Sequence, residues 1–201
     1  MPVELWFPVP IMIHDVDPGV REATRTKVLR YLESERGRSD VAPAPAESVR
    51  TSYYRPERSV LQDADLAELK EVVLATGLNF MQGMGVPPVR LEFERAWINV
   101  FQPGAQEAQH SHDGSLLSCS YYVDAPENCG ALVFPDPVAA RRSHRAFTHT
   151  GGKTFFTMPE CGFQPQAGRL IMFESWVEHG VQCNKSDKPR ISLAFNLRRA
   201  G

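Results

Sequence analysis

The chain has 201 residues, 42% of them hydrophobic and 23% charged, with a formal net charge of -2 at pH 7. That length holds one domain with a full core and leaves no room for two large ones. A near-neutral balance with no basic tract speaks against nucleic acid as a partner, and no apolar run approaches the roughly 20 residues that cross a bilayer.

Sixteen prolines and fourteen glycines among short apolar runs favour many turns and short strands. The opening MPVELWFPVPIMIHD has no basic n-region, carries Glu4 and two interrupting prolines, and is not read as a signal peptide. Cys119, Cys129, Cys161 and Cys183 form no CxxC, so reduced thiols in a cytoplasmic protein are expected.

Taken in chain order, Leu5 to Ile13 is too proline-rich for a helix and reads as an edge strand or extended arm. Asp17 followed by Pro18 is an N-cap with a first-turn proline, opening a helix to about Glu35. Arg36 to Arg50 is polar and proline-bearing and is expected as a loop. Leu66, Leu69, Val73 and Leu74 recur at three- and four-residue spacing, predicting a second helix from about Asp63 to Gly83.

From Arg90 the pattern changes to strands: Arg90 to Phe101 in two stretches, Leu116 to Val123, Ala131 to Phe134, Thr154 to Met158, Arg169 to Phe173, Glu178 to Cys183 and Arg190 to Leu197. The expected fold is α+β: a jelly roll with two helices on the outer face of one sheet. Residues 1–89 would supply the arm and helices, and 90–201 the β core.

Six histidines are present. In QHSHDGS, an extended backbone points His110 and His112 to the same side, where both reach one metal. His179 lies far along the chain, and a jelly roll brings early and late strands together. Two histidines at this spacing plus a distant third make a facial set with open positions on the metal. Arg190 and Ser192 share one face of the last strand. If that arginine is buried it needs an anionic partner, and a carboxylate clamp would be one.

The segments LWFPVPI, AWINV, PGAQEAQHSHDGSLLSCSYYVDAP, LVFPDP, GRLIMFESWVEHGV and RISLAFN together resemble the iron(II)- and 2-oxoglutarate-dependent oxygenases, and most specifically so from Trp97 to Asn196. The resemblance implies a double-stranded β-helix, a metal on a triad, 2-oxoglutarate as co-substrate and dioxygen as oxidant. His110 and His179 match the first and last triad histidines, and Arg190 and Ser192 match the Arg-x-Ser that grips the far carboxylate of 2-oxoglutarate. The family's second ligand is an acid, whereas this chain has His112 there, with Asp113 one residue out of phase; either His112 or, through a bulge, Asp113 would complete the triad. With three neutral imidazoles, iron(II) and dianionic 2-oxoglutarate sum to zero charge, and with a carboxylate ligand to one negative charge.

Asn99 and Tyr122 are expected to hydrogen-bond the co-substrate. Ser118, Ser120 and Trp176 are candidates for the substrate pocket, with Trp176 packed against His179. The iron centre would carry the chemistry, with no separate acid or base assigned. Arg141, Arg142, His144, Arg145 and His149 crowd a loop that reads as a lid or as a solvated segment. The expected substrate is a small molecule, handled by a monomer or homodimer. The competing expectations are a three-histidine dioxygenase that does not use 2-oxoglutarate and a non-enzymatic jelly-roll binding module.

Overall fold

The computed structural model describes residues 8–41, 48–54, 60–138 and 158–201. The chain begins with β1 (Ile11–Asp15), α1 (Pro18–Glu33) and α2 (Glu35–Asp40). Next come β2 (Val49–Thr51), α3 (Val60–Asp63) and α4 (Ala67–Gly83). Eight strands follow: β3 (Leu91–Phe101), β4 (Glu107–His110), β5 (Leu117–Asp124), β6 (Leu132–Pro135), β7 (Glu160–Phe163), β8 (Arg169–Glu174), β9 (His179–Val181) and β10 (Arg190–Arg199).

They form two antiparallel sheets, ordered β1-β8-β5-β10-β3-β2 and β4-β9-β6-β7. This is the expected α+β double-stranded β-helix. No helix among the described residues is long and apolar enough to cross a membrane.

The helices form where their ends are satisfied. The Asp17 side chain accepts from the backbone N–H groups of Gly19 and Val20, and Pro18 occupies a position whose N–H would be orphaned. α1 stops at Ser34, whose extended backbone (φ -69, ψ 159) breaks the helix while its hydroxyl accepts from Gly37 N–H to start α2. The expected loop from Arg36 to Arg50 therefore holds the short α2 and the start of β2. Capping chemistry and strand pairing override its polar composition there.

α4 starts four residues later than expected because Val60–Asp63 forms its own turn of helix. It lies close on the larger sheet: a Cβ at Gly77 would sit 2.8 Å from the Leu91 side chain and 3.2 Å from that of Leu197.

The sheets divide their side chains by parity. On β10, Ile191, Leu193, Phe195 and Leu197 join the helix-side core with Val28, Leu69 and Val73. Arg190, Ser192, Ala194 and Asn196 line the space between the sheets. A second cluster, including Tyr122, Leu132, Phe134, Ile171 and Phe173, fills the rest of that space.

The strand expected in two stretches from Arg90 is one continuous β3 of 11 residues. Edge strand β1 is tied to β8 by a two-pronged ion pair in which Arg169 donates to Asp15 at 2.8 and 3.0 Å. Two short strands, β4 and β7, were not expected as strands; their exposed four-residue runs carry no apolar alternation. The lid at Arg141 to His149 and most of the strand at Thr154 to Met158 lie outside the described residues.

Candidate active site

The site is assembled on the facing walls of the two sheets. His110, the last residue of β4, and His179, the first of β9, are direct cross-strand partners, with ring centroids 4.4 Å apart. Directly opposed residues in an antiparallel pair have Cβ atoms about 5 Å apart, so the ladder itself sets this pair.

His112 lies two residues beyond β4. Its backbone N–H donates to Ser175 O at 2.9 Å, and its ring lies edge-on to Trp97 at 5.6 Å. It stands 5.1 Å from the His110 ring and 5.2 Å from that of His179. One ligand atom from each of the three histidines lies within 4.8 Å of the others. Asp113 is outside this group, and its carboxylate accepts from the Ser111 hydroxyl at 3.1 Å.

Two of the rings have their tautomer fixed by the backbone. His110 Nδ1 lies 2.9 Å from Ala108 O, and His179 Nδ1 lies 3.0 Å from Val177 O. A carbonyl only accepts, so Nδ1 carries the proton and Nε2 keeps its lone pair for a metal. Burial pushes the His179 imidazolium down to about 3, against the opposing pull of the Val177 carbonyl. Burial, and then the charges of His110 and Arg95, push His112 down to about 4. Both rings are therefore neutral, as ligands must be, at ordinary pH.

The other end of the same cavity, about 360 Å³ in volume, holds Arg190. Arg190 is 1% exposed. It donates from Nη1 to Gly130 O at 3.1 Å and to Cys129 O at 3.5 Å, and it stacks on the Phe101 ring at 4.0 Å. Its Nε has no hydrogen-bond partner, and no carboxylate pairs with it among the described residues. Burial lowers its pKa, opposed chiefly by Tyr122. A buried cation with an orphaned donor on a cavity wall has the chemistry to take an anion.

Gly130 sets up this corner. Its φ of +87 suits glycine, and a Cβ there would lie 2.1 Å from Gln182 O. Ser192 is the register partner of both Asn99 on β3 and Tyr122 on β5, so the three sit at one level of the larger sheet beside Arg190, and all line the cavity.

Ser118 and Ser120 also line the cavity, but Ser118 is engaged: its hydroxyl donates to Asn196 Oδ1 at 2.9 Å and lies 2.8 Å from Ser175 Oγ. The Ser120 side chain hydrogen-bonds that of Tyr122. Trp176 is placed differently from the expectation. It is 51% exposed and does not line the cavity. The tight turn after β8 (Val177 N–H to Glu174 O, 3.0 Å) sends Val177 inward and Trp176 outward. His179 packs instead on Phe173 at 4.6 Å and Phe134 at 6.2 Å.

Sequence reading passed over Phe101, Asn196, Tyr53 and Tyr54, all of which line the cavity. Phe101 and Asn196 were recoverable, since they share strand parity with Asn99 and Ser192. Tyr53 and Tyr54 gave no signal, because they stand in a turn with no periodicity.

The donor set suits a first-row transition metal. Imidazoles bind iron, zinc, copper and nickel, and three of them leave other positions open. The orphaned Arg190 donor at the far end of the cavity fits a bound dicarboxylate.

A 2OG-Fe(II) oxygenase family profile matches residues 95–196, just over half of the 201 residues. No curated protein matches the sequence. Among solved structures, the fold is similar to the non-heme alpha-ketoglutarate-dependent carbocyclase SnoK from nogalamycin biosynthesis, with a TM-score of 0.63 at 15% identity over 96% of this chain and 81% of that one. It is also similar to a Pseudomonas putida prolyl-4-hydroxylase, with a TM-score of 0.56 at 20% identity over 96% and 94%. A third likeness is EctD from S. alaskensis, solved with 2-oxoglutarate and 5-hydroxyectoine, with a TM-score of 0.65 at 14% identity over 95% and 72%. At these identities the structures establish the fold, while the matched profile spans both ends of the cavity, from His110 to Arg190. The chain belongs to the 2OG-Fe(II) oxygenase family.

Proposed function

We propose that the chain is a single oxygenase domain that oxidises a small molecule, most simply by hydroxylation, with iron(II) held by His110, His112 and His179. One observation carries this reading: a buried Arg190 with an unsatisfied Nε closes the same cavity that the three histidines open onto.

When bound, iron and 2-oxoglutarate supply the oxidising chemistry with dioxygen. The chain's own residues do the rest. Arg190 takes the far carboxylate of 2-oxoglutarate, with the Phe101 face holding the guanidinium flat. Ser192, Asn99 and Tyr122, level with one another beside it, donate to the same end of the co-substrate. Ala108 O and Val177 O hold the protons of His110 and His179 on Nδ1. Phe173 and Phe134 exclude water behind His179. Membership of a 2-oxoglutarate-using family, together with a buried arginine at the cavity floor, favours this over a three-histidine dioxygenase without the co-substrate.

The test is succinate formation from 2-oxoglutarate by anaerobically iron-loaded protein on exposure to air. Turnover that disappears in both Arg190→Ala and His179→Ala is expected. Failure of 2-oxoglutarate to bind the iron form in a titration would overturn the proposal.

A further inference from the structure

A second cation, Arg95, lies beside the cavity, against two residues that line it, Tyr53 and Asn196. β3 carries one extra residue opposite β10: Asn196 pairs with Arg95 and Leu197 with Phe93, so Glu94 is bulged out. Arg95 continues the alternation of Trp97, Asn99 and Phe101 and pairs with the cavity-lining Asn196. The bulge turns Phe93 and Leu91 to the helix-side core, while Arg95 stays on the face of Trp97, Asn99 and Phe101, which line the cavity.

Arg95 is held at the rim. Its guanidinium lies over the Tyr53 ring at 4.5 Å, Tyr53 packs edge-on to Trp97 at 5.1 Å, and Trp97 packs on His112. No hydrogen bond or ion pair engages Arg95 among the described residues. The nearby acids are occupied elsewhere, Glu94 accepting from Ser115 and Asp113 from Ser111. Its register partner Asn196 turns Oδ1 toward Ser118, and its amide Nδ2 donates to no group among the described residues, on a side chain lining the cavity. Arg95 and Arg190 are separated by the span from Arg95 to Phe101 along β3, about 20 Å at roughly 3.3 Å per residue. Of the three histidines, His112 lies against Trp97, the cavity-facing neighbour of Arg95 on β3.

We infer that Arg95 and Asn196 form the recognition point for an anionic group, a carboxylate or phosphate, on the small-molecule substrate. This rests on the oxygenase reading and names its substrate class. The co-substrate is anchored at the floor by Arg190, the substrate's anion at the rim by Arg95, and the bond to be oxidised lies between them at the metal. Tyr54, 81% exposed although it lines the cavity, offers the substrate's body a ring face. A guanidinium with an amide beside it matches the two oxygens of a carboxylate.

The experiment uses full-length zinc-loaded protein, which is diamagnetic and inert to dioxygen, with and without 2-oxoglutarate. A panel of metabolite-sized carboxylates and phosphate monoesters, each beside its neutral amide or alcohol, is screened by ligand-observed NMR, and hits are titrated calorimetrically. Anionic hits are expected to bind about tenfold or more tighter than their neutral partners. They should lose at least about tenfold in Arg95→Gln, which should keep wild-type affinity for 2-oxoglutarate as evidence of an intact fold. Arg190→Gln should lose 2-oxoglutarate and keep the anionic hits. No anionic hit, or hits unchanged in Arg95→Gln, would overturn the inference. Wild-type protein that fails to bind 2-oxoglutarate would instead overturn the oxygenase reading, with the arms lacking 2-oxoglutarate still deciding the role of Arg95.

Discussion

Replacing Arg190 by methionine separates what this side chain does for binding from what it does for folding. In the free protein its burial is only partly compensated, because Nε lacks a partner while Nη1 reaches two carbonyls and the plane rests on Phe101. Removing the guanidinium relieves an unsatisfied buried donor, worth about 1–3 kcal/mol, and orphans the Gly130 carbonyl, which costs a similar amount. These oppose each other, so the free variant should unfold within about 2 kcal/mol of wild type. Binding has no such offset. Losing the charged partner of a buried carboxylate costs about 2–5 kcal/mol, or roughly 30- to 4,000-fold in the 2-oxoglutarate dissociation constant. Urea unfolding of the metal-free proteins gives the first number, and anaerobic calorimetry of the metal-loaded proteins gives the second. A variant that binds 2-oxoglutarate within about threefold of wild type would refute the assignment of Arg190 as the clamp. One that loses more than about 4 kcal/mol of stability would show the arginine to be structural first.

Other outcomes follow from the same geometry. His112→Ala should abolish stoichiometric iron binding while Asp113→Ala leaves it intact, as measured by metal content after gel filtration; the reverse would make Asp113 the second ligand. Metal-free protein should lose stability on acidification. His179 has its folded pKa pushed below the unfolded value, so the unfolded chain takes up its proton first, and stability falls as pH drops from about 6.5 toward about 3. At pH 4.5 this amounts to about 2–3 kcal/mol, seen as a lower urea midpoint than at pH 7.5 and a smaller loss in His179→Gln. Gly130→Ala meets both a left-handed backbone and the Gln182 carbonyl, so it should destabilise by at least about 1–2 kcal/mol and also weaken 2-oxoglutarate, because the Arg190 acceptor moves. Equal 2-oxoglutarate affinity in a folded Gly130→Ala protein would uncouple that corner from the clamp.

Much of this was legible because strand parity is strict. Arg190 and Ser192 on one face, and Ile191 and Leu193 on the other, could be read directly, and the same rule applied to Phe101 and Asn196 recovers two more cavity residues. What stayed hidden depends on departures from parity. The bulge at Glu94 sets Phe93 and Leu91 on the opposite face from Arg95 and Trp97, and nothing in the run RLEFERAW announces an inserted residue. Trp176 looked like an inward neighbour of His179 by spacing, but a tight turn sits between them, and turns do not carry a period. β4 escaped notice because its residues are exposed, so its pairing with β9, which sets His110 against His179, leaves no hydrophobic trace. Phase along the strand left Asp113 open beside His112, and it is the coordinates that group His112 with His110 and His179, its backbone N–H donating to Ser175 O.

The two walls of the cavity differ in build. Arg190 stands on β10, ten residues long and paired on both sides with strands of eight and eleven. His110 and His179 stand on strands of four and three residues, and among the described residues β4 is an edge with β9 as its one neighbour. Short edge ladders open locally at far lower free energy than long central ones. A metal bridging His110 and His179 would thus be a stitch across a short edge ladder. Amide hydrogen exchange in β4 and β9 should slow sharply on metal loading, while β3 and β10 barely change, and the site should become ordered from its metal side toward a clamp that was already in place.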